Sequence, residues 1–359
     1  MPAAKGSLAW TVRQVLRNVY YRLTSWGLRV GSGVSPSITH NPHPPPPNSV
    51  ICLPIIEWDF RFQRPQQLML QFAKHGWRVS YVSQRATSVT EKAPNVFEVP
   101  LTDVPRGELV IVQHPKWAGV ARQLGGRLLY DCMDDISAFS TESRHDDERA
   151  LMAEAELVVV TSAALEREAR KHARNVVLVR NGCDYEHFAR AMKPSGPRRT
   201  IGYYGAISDW FDIALVAELA RRRPEWDFLL IGATYGANLL PFGRLANVTL
   251  TGEKPYAELP EWLGKMDVCI IPFKRVPLTE ATNPVKVYEM LAAGKPVVSV
   301  PIPEVAALAP LVRLASNADE FEREILAAFD DRDDEARRAF AREQTWERRF
   351  AELSARLRA

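Results

Sequence analysis

The chain has 359 residues, of which 46% are hydrophobic and 25% charged, and a formal net charge of +3. That length accommodates two ordinary α/β domains, and that balance excludes a disordered or membrane-spanning chain. So mild a charge also argues against a nucleic-acid partner, which calls for a stronger basic footprint.

Cys52, Cys132, Cys183 and Cys269 lie far apart, each in or beside an apolar run, with no C-x-x-C spacing. Buried free thiols and a reducing compartment, the cytoplasm, are the expectation. No apolar run reaches the length of a spanning helix, and Arg13, Arg17 and Arg22 interrupt the N-terminus where a signal peptide needs a compact apolar segment.

In chain order, Leu8, Val12, Val15, Leu16, Val19, Leu23 and Trp26 recur at the spacing of one helix face. Lys5, Arg13, Arg17, Arg22 and Arg29 are basic, and no acid occurs up to Val30. Residues 5–30 therefore read either as an amphipathic helix lying on an anionic membrane surface, peripheral at the inner face, or as an extra helix docked on the body. The run PHPPPPN over 42–48 stops both helix and ladder, so 1–47 is set apart as helix and linker.

From Val50 short apolar runs alternate with amphipathic windows, the signature of a parallel sheet covered by helices. SVICL, WRVSYV, ELVIVQ, RLLYD, ELVVVT and NVVLV form a first set of strands; TIGYY, WDFLLIG, NVTL, DVCII, KPVVSV and LVRLA form a second. The fold class is therefore α/β, with two doubly wound Rossmann-like domains over 48–195 and 196–344 and a closing helix over 345–359. Ligands of such sheets sit beyond the carboxyl ends of the strands. Two such edges facing across a cleft would place an acceptor on the first domain's wall and a donor on the second's.

The strongest local signal is NPVKVYEMLAAGKPVV. Asn283 suits an N-cap, Pro284 the first helical position and Gly294 the left-handed stop, which predicts a helix over about 284–293. Its N-terminus offers unpaired amides and the positive end of the macrodipole to a diphosphate, and Lys286 adds a full charge. Glu289 lies one turn on, on the same face, suited to accept hydrogen bonds from sugar or ribose hydroxyls. An ordinary surface Lys–Glu pair is the competing reading.

In the first domain Arg61 and Arg64 are candidates for binding an anionic acceptor or phosphate, or are solvated loop residues. Asp131, Asp134 and Asp135 in DCMDD invite a metal, but a strand end and helix caps explain them better. Asn181 and Gly182 read as a turn and Asp184 as the cap of a short helix. Trp210, Glu253 and Lys254 could border a base, although core or surface roles suit them better.

The helix segment resembles the donor-binding helix of retaining GT-B glycosyltransferases, the mannosyltransferase and glycogen-synthase-like group, in which a Glu precedes an AAGKPVV stretch. RPQQLMLQFAKHGWRVSYV, ELVVVTSAAL, VRNGCDYEHF and IGYYGAISDW occur in the expected order, so the match spans most of 50–300. With YDCMDDISAF and IIPFKRVPLTEATNPVKVYEMLAAGKPVVS, the chain is similar to a bacterial surface-polysaccharide branch, the TuaH-like teichuronic acid enzymes.

The resemblance implies that Glu289 binds the donor ribose, that Lys286 lies near the diphosphate, and that Gly205 lets the backbone approach the phosphates. It places His114, after LVIVQ, near the reacting sugar and the acceptor; a turn residue satisfied by backbone is the alternative reading. Relatives carry an Arg and a Lys after the first loop of the donor domain, whereas GAISDWFD has neither, and Lys274, Arg275 and Lys286 are the substitutes. A second Glu common in relatives corresponds to Ala281, with Glu280 displaced by one.

Implied is a transferase moving a sugar from a nucleotide-sugar donor to a saccharide or lipid-linked saccharide acceptor, retaining, with no metal and no cofactor. A non-catalytic scaffold of a polysaccharide assembly complex is the alternative, motivated by Ala281 and the missing Arg/Lys pair. A dinucleotide-dependent oxidoreductase fits the fold but not the loops, since GYYGA lacks G-x-G-x-x-G.

Overall fold

A computed structural model describes residues 45–136, 145–192, 196–234 and 236–358. The basic 5–30 segment lies outside the described residues. The chain divides into two compact units, one of 45–182, 281–283 and 344–358, the other of 183–280 and 284–343. The division falls at Gly182 and Cys183, ahead of the boundary at 195 and 196 read from the sequence.

The first unit holds β1 (Ser49–Cys52), β2 (Arg78–Ser83), β3 (Thr90–Ala93), β4 (Val96–Pro100), β5 (Leu109–Val112), β6 (Arg127–Cys132), β7 (Leu157–Val160) and β8 (Val176–Leu178). They form one sheet in the order β3-β4-β2-β1-β5-β6-β7-β8. Every pairing is parallel except that of β3 with β4. The interior strands β5 and β7 read LVIV and LVVV and are buried along their whole length, as strands covered on both faces must be. The β3–β4 pair is absent from the sequence expectation. The TEKA of β3 is half-buried or exposed at a sheet edge and carries no apolar run, and its partner is reached by a turn at Asn95, φ 64°.

The C-terminal helix Trp346–Leu357 packs on the helix Arg64–Lys74, with the Phe72 and Phe350 rings 4.9 Å apart. Trp346, Phe350, Leu353 and Leu357, the residues whose spacing predicts a helix, are all buried.

The second unit holds β9 (Thr200–Tyr204), β10 (Asp227–Ile231), β11 (Val248–Gly252), β12 (Val268–Ile271), β13 (Val297–Ser299) and β14 (Arg313–Leu314). They pair in parallel in the order β11-β10-β9-β12-β13-β14, the doubly wound arrangement expected. The order reverses beside β9, so the loops after β9 and β12 open at the switch point where ligands of such sheets bind. All four cysteines are free and buried. No helix among the described residues is long and apolar enough to cross a membrane.

Candidate functional site

The site is built where β9 ends against the helix Val285–Ala292. Tyr203 and Tyr204 point to opposite sides of β9, and Gly205 then takes φ 131°, a conformation that a residue with a Cβ rarely adopts. A Cβ at Gly205 would stand 2.6 Å from Lys286 Cε and 3.2 Å from its Nζ. The absent side chain thus makes the space in which the lysine stem lies. Lys286 Nζ stands 5.7 Å from the Tyr203 ring centroid and 5.3 Å from that of Phe273, over two faces rich in π electrons.

The helix is one residue shorter at each end than the sequence predicts. Pro284 is its N-cap, with ψ 115°, and no side chain caps it. Asn283 does not cap. It is 2% exposed, its Oδ1 accepts from the Asn181 backbone N–H at 2.9 Å, and its carbonyl accepts from Asn181 Nδ2 at 2.6 Å. Asn283 therefore fastens the chain ahead of the helix instead of capping it. The left-handed stop at Gly294, φ 72°, is as expected, and Arg338 closes the helix by donating to the carbonyls of Ala292 and Ala293, each at 3.0 Å.

Glu289 lies one turn after Lys286 and is 6% exposed. Its carboxylate accepts a short hydrogen bond from the Tyr204 hydroxyl. Burial pushes its pKa up to about 7, against the Tyr204 hydrogen bond and the Lys286 charge, which lower it, and with Asp184, which raises it further. The folded value lies above the ordinary 4.5, so Glu289 favours folding most below 4.5, and that contribution is lost as pH rises through about 7. Glu289→Gln is accordingly expected to raise stability at about pH 8 by on the order of 1–3 kcal/mol and to leave it unchanged at about pH 4. Urea midpoints at the two pH values measure this; a variant no more stable than the parent at the higher pH contradicts the burial.

Lys274 and Arg275 are exposed after β12. The Arg275 guanidinium is spent on Glu280 at 2.6 Å. Both line a cavity of 470 Å³ with Asp212, Phe273, Val300 and Asn317, which includes neither Lys286 nor Glu289. Phe273 stands at the junction, touching the cavity and facing Lys286. The structure thus sets Lys286 against Gly205 and Glu289 against Tyr204, while Lys274 and Arg275 line the adjoining cavity. Tyr204 is the site residue that sequence reasoning missed; a tyrosine in a strand reads as core, and only its contact with Glu289 separates it from its neighbour.

In the first unit, Arg64 is 2% exposed and paired with Asp131, Nη2 to Oδ1 at 2.8 Å and Nε to both oxygens at 3.1 Å. Its Nη1 donates to the Val179 carbonyl at 3.1 Å and to Asn181 Oδ1 at 3.3 Å, while Gln113 Nε2 donates to Asp131 Oδ2 at 2.8 Å. A guanidinium so engaged is not available to an acceptor, which corrects that expectation for Arg64, and the same pairing commits Asp131 to the core. Arg61 remains exposed, with φ 52° and its guanidinium 4.5 Å from the Phe60 ring. His114 caps a turn of 3₁₀ helix, its Nδ1 accepting from the Lys116 backbone N–H at 3.2 Å. That bond leaves the proton of the neutral ring on Nε2, as a donor. Asp184 caps the short helix Tyr185–Phe188 as expected, accepting from the His187 backbone N–H at 3.2 Å.

Residues 198–331, which hold this site, match the family described as Glycosyl transferases group 1. The two doubly wound parallel sheets are those of a GT-B fold, and the family match covers the 198–331 segment of it. Among individual proteins, the chain is 30% identical over 204 residues to the "Putative teichuronic acid biosynthesis glycosyltransferase TuaH" of Bacillus subtilis (strain 168), over 49% of this chain and 51% of that one. The chain thus matches about half the length of this curated relative. In fold it is similar to sucrose-phosphate synthase from Thermosynechococcus elongatus, with a TM-score of 0.66 and 15% identity over 86% of this chain and 98% of that one. HepE of Anabaena, in complex with UDP and glucose, gives a TM-score of 0.61 and 14% identity over 86% of this chain and 99% of that one.

Proposed function

We propose that the protein is a glycosyltransferase that moves a sugar from a nucleoside diphosphate sugar to a saccharide or lipid-linked saccharide acceptor in surface polysaccharide biosynthesis. The observation that carries this reading is the placement of Lys286 against Gly205 and of Glu289 against Tyr204, on one helix face, inside the segment that matches the group 1 family. The name of TuaH, which points to teichuronic acid biosynthesis, and the UDP and glucose held by HepE support the substrate class.

In the reaction the bond from the anomeric carbon to the donor's phosphate oxygen breaks and a bond to an acceptor hydroxyl oxygen forms. The hydroxyl proton leaves, and negative charge grows on the departing diphosphate. In this reading Lys286 and the positive end of its helix dipole meet that charge. Glu289 receives the ribose hydroxyls. Lys274 adds charge from the loop after β12, and Arg275 adds less because Glu280 already balances it. His114, by its Nε2–H, and Arg61 serve the acceptor side of the reading. Retention at the anomeric carbon and independence of metal and cofactor follow from the resemblance and belong to the proposal, as does peripheral membrane association through residues 5–30. One observation favours a non-catalytic scaffold: Ala281, where relatives carry a Glu, packs against the apolar core of the first unit.

The test is a thermal-shift screen of nucleotide sugars followed by product analysis with saccharide and lipid-linked acceptors. One donor is expected to raise the melting temperature and to yield a glycosylated product. Donor binding without transfer or donor hydrolysis across the acceptor panel would favour the scaffold, and no binding of any nucleotide sugar would defeat the reading.

A further inference from the structure

We infer that Tyr204 is a positioning residue of this site: its hydroxyl holds one oxygen of Glu289 and so presents the other to the hydroxyls of a ribose. The inference rests on the reading of Glu289 as the ribose ligand and extends it to a residue on a different element.

A glutamate on a helix face turns about three side-chain bonds, and a pair of hydroxyls is held well only by a carboxylate with a fixed plane. Glu289 gains that plane from outside its helix. Tyr204 closes β9, which lies between β10 and β12, and is 6% exposed, so its ring is held by the sheet. Its hydroxyl donates to Oε2. Burial and the neighbouring carboxylate keep the phenol well above its ordinary pKa, so it stays protonated and remains a donor across the working range. Rigid strand, rigid ring and permanent donor together aim a flexible acid.

The same contact governs when the acid is charged. Five groups bear on it: Tyr204 from β9, Lys286 on its own helix and Asp184 from the cap of Tyr185–Phe188 act on Glu289, while Tyr256, from a neighbouring turn, and Cys269, from β12, act on Tyr204. Arg337 and Arg338, from the helix Asp334–Arg342, bind the carbonyls at the far end of the Glu289 helix. Only Tyr204 and Lys286 favour the carboxylate among the groups that shift Glu289. Two ribose hydroxyls donate to a carboxylate, so affinity rises as the acid ionises. Without the phenol the rise moves to higher pH.

The experiment measures, by calorimetry on the full chain, the Kd of UDP and 2′-deoxy-UDP, and of the same pairs in the guanosine and adenosine series, from about pH 5.5 to about 9. The parent is expected to prefer the ribonucleotide by about tenfold at the upper end, with the preference fading below about pH 7. Tyr204→Phe is expected to reduce the preference to within about threefold and to move the pH limb up by about one unit, while Glu289→Gln abolishes the limb. Tyr204→His, which restores a donor, recovers part of the preference and also serves if the phenylalanine variant does not fold.

A folded Tyr204→Phe protein with the parent's ribo preference and pH limb overturns the inference and leaves Glu289 as the ribose ligand. A Glu289→Gln protein that keeps both properties overturns that reading and this inference with it. Failure of the parent to bind any of the nucleotides overturns the donor site as a whole.

Discussion

Replacing Lys286 by methionine is expected to leave a folded protein whose kcat/KM for the sugar donor is lower by about a hundred- to a thousandfold. Methionine keeps an unbranched stem of similar bulk against Gly205, so packing changes little and the variant isolates the charge. The ammonium matters most when the diphosphate departs, because the negative charge there is larger in the transition state than in the bound donor. kcat should therefore fall by more than KM rises. Arg275→Ala is the control: its guanidinium is exposed and already balanced by Glu280, and its loss should cost less than about fivefold. Steady-state kinetics with a matched thermal unfolding curve decide the matter. A folded Lys286→Met protein with the parent's kcat/KM would remove Lys286 from the leaving-group role.

The largest effect on stability is expected in the first unit, at the Arg64–Asp131 pair. Asp131→Ala leaves a guanidinium at 2% exposure with only the Val179 and Arg180 carbonyls and Asn181 Oδ1 around it, none carrying a charge. The cost of stranding such a cation is about 3–5 kcal/mol. Removing the partner as well, in Arg64→Met with Asp131→Ala, should recover part of that loss, since no buried charge remains unmatched. The urea midpoints of both variants measure this. Equal midpoints for Asp131→Ala and the parent would show that the pair is solvated in solution. Because the network reaches Asn181, which holds Asn283 ahead of the Lys286 helix, the double variant is also the one in which donor affinity should weaken without any change at Lys286 or Glu289.

The strands of the second sheet were all readable before folding was known, and so was the helix that carries Lys286 and Glu289. Each is an apolar run or a helical period bounded by Pro and Gly, and such signals are local. β3 was not readable, because an edge strand with the composition TEKA buries too little to leave a pattern. Asn283 misled for a related reason. An asparagine before Pro-Val-Lys is a good local cap, yet a partner far away in sequence, Asn181, competes for the same oxygen and holds it.

Residue type and spacing alone determined that the chain would build two doubly wound sheets, that its cysteines would be buried, and that a lysine and a glutamate would share one helix face. These follow from periodicity and from the rise of a helix, which need no knowledge of what lies opposite. Tertiary structure alone decided what each charged group touches. Folding pairs Arg64 with Asp131 and Arg275 with Glu280, and it sets Lys286 against a glycine and beside two aromatic faces. A side chain's charge is written in its residue type; its partner is fixed by what folding brings within a few ångströms.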